Sequence, residues 1–202
     1  MSREPAPDAV QPTSFAFTDD NLTRVKAFVS RYPEGRQASA VLPALELAQR
    51  QHDNWLPRAA MDAVADLLGM AHIRVYEVAT FYEMFNLSPI GHHHVRVCTT
   101  TPCQLRGAME VLARLEGHLD IGLGETSADG QITLSEFECL GACVNAPVVW
   151  IDDDYYEDVD ADKAAEIIDA LRRGERPTPG PQVDRHASAP ISGAKTLLGV
   201  ED

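Results

Sequence analysis

The residues that could do chemistry in this chain are its four cysteines, and all four fall in two short runs, Cys98-Thr-Thr-Thr-Pro-Cys103 and Cys139-Leu-Gly-Ala-Cys143. The pattern is C-x4-C-x35-C-x3-C, two close pairs separated by the length of one helix and one strand. A 2Fe-2S rhomb needs two thiolates on each iron. Two loops each delivering a pair would therefore hold it, with three or four intervening residues to arch the backbone around the bridging sulfides. Structural zinc more often takes C-x2-C knuckles, although C-x4-C lies within its range. Four cysteines could also form two disulfides in any of three connectivities, but that usage belongs to secreted chains and no signal peptide opens this one. Unrelated buried thiols would have no reason to fall in pairs. Rieske ligation needs two histidines, and neither run has one within reach. The spacing favours iron and sulfide, with zinc, disulfides and separate thiols as the alternatives.

Other constellations carry less. His92, His93 and His94 are consecutive, and consecutive strand positions point to opposite faces, so they are not expected to converge on one ion. Gly122-x-Gly124 continues to Ser127 and follows no clear strand, so no dinucleotide fingerprint is present. A thioredoxin-type redox pair wants C-x-x-C at a helix start, and x4 is too wide. No catalytic residue is assigned, and the chain alone is not expected to be an enzyme.

The elements that must position the cysteines follow from periodicity. Residues 1–18, rich in Pro, Ala and Ser, are expected to be a mobile tail. Leu22, Val25 and Val29, then Val41, Leu45 and Ala48, then Met61, Val64, Ala65 and Leu68, then Val78, Phe81, Tyr82 and Phe85 repeat at helical spacing, predicting a bundle over 19–88. Ser88-Pro-Ile-Gly91 reads as a hinge. Over 89–173 the chain becomes strand, helix, strand, hairpin, helix. His94-Val-Arg-Val97 leads into Cys98, and Pro102 opens a helix striped by Leu105, Met109 and Leu112. That places Cys103 in a first turn, where free amides and the dipole meet a thiolate. The alternation in 132–139 slips after Leu134, predicting a bulge. Gly141 should let amides turn toward sulfur, and Asp160 should cap the last helix. Residues 174–202 form an irregular second tail. The class is α+β, a helical bundle followed by a thioredoxin-like α/β domain.

Composition narrows the partners. Lys+Arg 17 against Asp+Glu 31 gives a formal charge of -14, which disfavours nucleic acid and anionic membrane surfaces. No apolar run is long enough to span a bilayer, so direct membrane insertion is not expected. The opening residues are acidic and proline-bearing where a transit peptide is basic. The expectation is a cytoplasmic protein whose partners are proteins.

Val97-Cys-Thr-Thr-Thr-Pro-Cys-Gln-Leu-Arg-Gly107 and Glu138-Cys-Leu-Gly-Ala-Cys-Val-Asn-Ala-Pro-Val148 closely resemble a known family, the thioredoxin-like 2Fe-2S subunits (the E type) of NADH:quinone oxidoreductase, respiratory complex I. Arg74-Val-Tyr-Glu-Val-Ala-Thr-Phe-Tyr82, Gly124-Glu-Thr, Asp129-Gly130 and Asp153-Asp-Tyr-Tyr-Glu-Asp158 agree with it, over about 20–175, and Gly180-Pro-Gln with Thr196-Leu-Leu-Gly199 looks like the complex I form. The resemblance implies a 2Fe-2S cluster held by Cys98, Cys103, Cys139 and Cys143. It further implies a thioredoxin-like ferredoxin domain and single-electron exchange with FMN. The implied partners are the FMN- and NADH-binding flavoprotein subunit and the large iron-sulfur subunit of the peripheral arm. The complex as a whole would be the enzyme, seated on the cytoplasmic face of the inner membrane. The equivalent diaphorase subunit of an NAD-linked hydrogenase or formate dehydrogenase shares the motifs, and a four-cysteine zinc-stabilised adaptor is the non-redox alternative.

Overall fold

A computed structural model of the chain describes residues 5–193. They divide into two compact units, the division falling between Ile90 and Gly91.

The first unit is helical: α1 (Asp19–Val29), α2 (Val41–Gln51), α3 (Arg58–Leu68) and α4 (His72–Phe81). Each boundary has a local cause. Thr18 caps α1 by accepting from the Asn21 amide, with Asp19 and Asp20 in the first turn where the dipole favours acids. Pro57 precedes α3, and Gly69 ends it in the left-handed region at φ 63°. Val25, Leu45, Leu56, Met61, Val64, Leu68 and Val75 are buried together. Residues 5–17 lie against this core: the Ala6 amide donates to the Leu87 carbonyl at 2.9 Å, and Phe15 and Phe17 stand edge to face at 5.2 Å, packed on the cluster. The expected stripe through Phe81, Tyr82 and Phe85 breaks, because Tyr82 leaves the helical region (φ -85°, ψ 120°). That turn buries Phe85 and leaves Phe81 76% exposed.

The second unit is a five-stranded sheet in the order β2-β1-β3-β4-β5, made of β1 (His93–Cys98), β2 (Ile132–Phe137), β3 (Val148–Ile151), β4 (Asp154–Glu157) and β5 (Gly180–Pro181), with α5 (Thr101–Leu105), α6 (Ala108–Leu119) and α7 (Ala161–Arg172). Strand β1 runs parallel to β2 and antiparallel to β3; β3 and β4 form the hairpin, and β4 is parallel to β5. The β1–β2 register is continuous from His93↔Ile132 to Cys98↔Phe137, so the expected bulge is absent. The alternation slips for another reason: Ile132 to Ser135 are buried on both faces, and their polar members find partners. The Gly91 amide donates to Thr133 Oγ1 at 2.6 Å, and Ser135 Oγ bonds His94 Nε2 at 2.7 Å.

Val95, Val97, Leu134, Val149 and Ile151 share one core with Val111, Leu112 and Leu115 of α6 and Ile167, Ile168 and Leu171 of α7. The single helix expected after Pro102 is two. Gly107, at φ 101°, breaks it and lets Ala108, Val111, Leu112, Leu115 and Leu119 turn inward, while Leu105 is 81% and Met109 47% exposed. Asp160 caps α7 through a 2.8 Å bond from the Lys163 amide. Asp160→Ala is therefore expected to lower stability by about 1 kcal/mol, read as a shift of the denaturant midpoint at constant slope.

Both sides of the sheet are finished by the chain itself. Beyond β2, the Gly124 amide donates to the Leu134 carbonyl and the Leu134 amide to the Glu125 carbonyl, at 2.7 and 3.1 Å. Beyond β4, residues after α7 return as β5 and a strap: the Tyr156 hydroxyl donates to the Pro177 carbonyl, and Arg185 pairs with Asp158 at 3.1 Å, their side chains only 7% and 5% exposed. Thr196-Leu-Leu-Gly199 lies outside the described residues. No helix among the described residues is long and apolar enough to cross a membrane.

Candidate metal centre

The first cysteine bend begins where β1 ends. Cys98, the last residue of β1, is 1% exposed. The Thr99 amide donates to the Phe137 carbonyl at 3.2 Å, which holds the bend to the end of β2. Thr100 is extended (φ -72°, ψ 167°), and the chain then turns into α5, whose third residue is Cys103, also 1% exposed. With five residues, α5 is too short to carry the dipole that the sequence suggested. Individual amides supply donors instead: Leu140 and Thr100 toward Cys98, and Val148 toward Cys103.

The second bend lies after β2. Gly141 takes a left-handed conformation at φ 82°, and its amide donates toward Cys139. That turn sets Cys139 Sγ 3.6 Å from Cys143 Sγ. Two thiolates about 2.3 Å from one tetrahedral metal stand about 3.8 Å apart, so this pair already has the bite of a shared ion. Unlike Cys98 and Cys103, both sulfurs are exposed.

The bends face one another. The Thr100 hydroxyl is 3.3 Å from Cys98 Sγ, and it also lowers the thiol of Cys139 in the other run. Charge on Cys98 is felt at Cys103, Cys139 and Cys143. Burial raises the Cys98 thiol, but the Thr100 hydroxyl, the Leu140 and Thr100 amides and Cys103 outweigh it, and the balance is downward. Burial and then the Cys98 sulfur push Cys103 up to about 12, against the Val148 amide. The Gly141 amide, then Cys143 and Thr100, lower Cys139; the Cys139 sulfur, then burial, raises Cys143. Each pair thus holds one sulfur ready to lose its proton and one that keeps it, because the first negative charge opposes the second.

This donor set fits an iron-sulfur centre. It is all sulfur, arranged two and two across a small gap, and ringed by amide and hydroxyl donors. Among the described residues no three His, Cys, Asp or Glu side chains gather closely enough for a single metal ion. A mononuclear tetrahedral site would need all four sulfurs on one point, whereas a binuclear one needs a pair at each metal. The histidines are occupied separately: His93 Nδ1 bonds Asp152 at 2.6 Å, and His94 is buried against Ser135. His92 precedes β1, and its ring stands edge-on to that of His93 at 4.6 Å, so alternation separates only His93 from His94.

Several contributors are invisible in the cysteine spacing. Phe137, directly beside Cys98 in the β1–β2 register, leads edge to face to Trp150 at 5.3 Å, and Trp150 to Tyr155 at 6.1 Å. The Arg96 guanidinium lies over Trp150 at 4.1 Å. Burial, then the charges of Cys98 and Cys139, raise the Tyr155 phenol, which places this aromatic strip beside the sulfurs. On the Cys143 side, a cavity of about 550 Å³ is lined by Arg106, Cys143, Val144, Asp158 and Arg185. There Arg185 donates to Asn145 Oδ1 at 2.6 Å and to the Val144 carbonyl at 3.3 Å, tying the strap to the second bend.

Comparison with known proteins agrees with this geometry. The family model for thioredoxin-like [2Fe-2S] ferredoxin matches residues 25–172. The E-type subunit of the NADH-quinone oxidoreductase of Rickettsia conorii is 53% identical over 160 residues, which is 79% of this chain and 96% of that protein. The mitochondrial NADH dehydrogenase [ubiquinone] flavoprotein 2 of Dictyostelium discoideum is 45% identical over 191 residues, 95% of this chain and 77% of that protein. An NAD+-reducing [NiFe]-hydrogenase shares the fold over 65% of this chain, at TM-score 0.56 and 19% identity, and the match spans 22% of the hydrogenase chain. With the matched span running from the first helix through both cysteine bends to the last, the chain belongs to the thioredoxin-like [2Fe-2S] ferredoxin family.

Proposed function

We propose that this chain is the electron-transfer subunit of an NADH:quinone oxidoreductase, holding one 2Fe-2S cluster on Cys98, Cys103, Cys139 and Cys143. The observation that carries this is the meeting of two sulfur pairs, one from each bend, near enough that charge on Cys98 acts on Cys103, Cys139 and Cys143. When bound, such a cluster accepts and releases one electron at a time.

The chain's own residues do the rest. Cys98 and Cys103 supply the shielded pair and Cys139 and Cys143 the exposed pair, so the exposed bend is the side from which an electron is exchanged with a neighbour. Amides of Leu140, Val148 and Gly141 direct partial positive charge at the sulfurs, which favours added negative charge. The aromatic strip of Phe137, Trp150 and Tyr155 keeps water from one side. The electron's source is FMN on a flavoprotein subunit that binds NADH, with the large iron-sulfur subunit as second neighbour, on the cytoplasmic face of the inner membrane. About half of the matched positions are identical in the complex I relatives. That similarity favours complex I over a hydrogenase or formate dehydrogenase diaphorase, for which the solved hydrogenase contributes fold likeness alone.

Anaerobically purified protein is expected to carry about two iron and two acid-labile sulfide per chain. Visible charge-transfer bands should bleach with dithionite as an EPR signal grows. A colourless protein with stoichiometric zinc would overturn the redox role. Absence of a flavoprotein among co-purifying subunits would overturn the assignment of partner.

A further inference from the structure

Thr100 occupies the N-cap position of α5. Threonine at that position ordinarily turns its hydroxyl onto an amide of the first turn. Here it makes no capping bond. The hydroxyl lies instead 3.3 Å from Cys98 Sγ. A ligating thiolate has no proton, so the hydroxyl must be the donor in this contact. The backbone makes this arrangement durable. The Thr99 amide is fixed to the Phe137 carbonyl, and the Gln104 amide donates to the Thr100 carbonyl at 2.9 Å, so Thr100 is held from both sides.

We propose that Thr100 is a positioning and tuning residue for electron transfer: its single hydroxyl hydrogen is given to the Cys98 sulfur and makes reduction of the cluster easier. This rests on the ligand assignment above. A donor aimed at sulfur becomes worth more as the sulfurs gain negative charge, so it stabilises the reduced form more than the oxidised form.

The test compares Thr100→Val, which keeps the shape and removes the donor, with Thr100→Ser, which restores the donor. Purified full chains are first assayed for iron and acid-labile sulfide, then titrated for midpoint potential by EPR. The valine variant is expected to retain its cluster and to be about tenfold harder to reduce, about 59 mV more negative for a one-electron couple. The serine variant should return to the wild-type midpoint. Equal midpoints in wild type and valine variant, both with full clusters, would overturn the role of Thr100 and leave the ligand assignment intact. A serine midpoint as low as that of valine would also overturn it. A wild-type chain with no iron or sulfide would instead overturn the ligand assignment. Should the valine variant not assemble a cluster, Thr100→Ala is read in the same way.

Discussion

Cys103→Ala is expected to leave the purified chain with less than about a tenth of the wild-type iron, because metal-site binding needs its full ligand set and is coupled to folding. Cys103 is buried between α5 and the sheet, 1% exposed, so no water or neighbouring side chain is at hand to take its place. The second unit should also lose several kcal/mol of stability, since binding free energy at such a site is folding free energy. Cys143→Ser offers the contrast. That sulfur is exposed, and a serine oxygen with access to water can still coordinate. A distorted cluster with altered g-values is expected there in place of a lost one. Iron content, thermal unfolding and the reduced EPR spectrum read both variants. Full iron and an unchanged spectrum in Cys103→Ala would remove that residue from the ligand set.

The second large effect concerns the strap. Asp158→Asn keeps the shape and suits the left-handed backbone there, φ 53°, but strips the charge that faces Arg185. A guanidinium left buried without its partner costs about 3–5 kcal/mol. The strap has an exit, because residues 183–192 can peel away and carry Arg185 into water. Peeling is the expected result, seen as cleavage at Val183 or Ile191 by thermolysin, which does not need Arg185, accelerated at least a hundredfold, each tenfold being about 1.4 kcal/mol. Asn145 should loosen with it. Its side chain accepts from Arg185, and its amide nitrogen donates to the Ala187 carbonyl at 3.1 Å. Asn145 is two residues from Cys143, so the exposed pair should become more disordered in the same variant. The double change Asp158→Asn, Arg185→Met is expected to recover most of the lost protection, a coupling that independent sites would not show. No change in cleavage rate in the single variant would mean that the ion pair does not hold the strap.

How much of this was legible beforehand differs by element. The two cysteine bends, the turn at Gly141, the β3–β4 hairpin and the Asp160 cap depend on residue types with local physical meaning, and each is where the sequence put it. The α5–α6 break was missed because Leu105, Met109 and Leu112 fit a helical stripe, while Gly107 sits where only backbone geometry reveals a positive φ. In β2 the buried polar residues Thr133 and Ser135 mimicked a slip in alternation, and their partners, Gly91 and His94, come from distant sequence. The amides of Leu140 and Val148 that face the sulfurs carry no side-chain signature at all.

The sheet's rims bear on what happens before any partner is met. Along β2, the turn through Gly124 and Glu125 already occupies the outward amide and carbonyl of Leu134. At the opposite rim lies β5, only two residues long and ending in Pro181, which has no amide hydrogen to offer. Newly made copies waiting for assembly therefore have little unsatisfied ladder through which to stack into fibrils. Polymerisation by strand addition should stay negligible in concentrated solution as long as the rim segments remain in place.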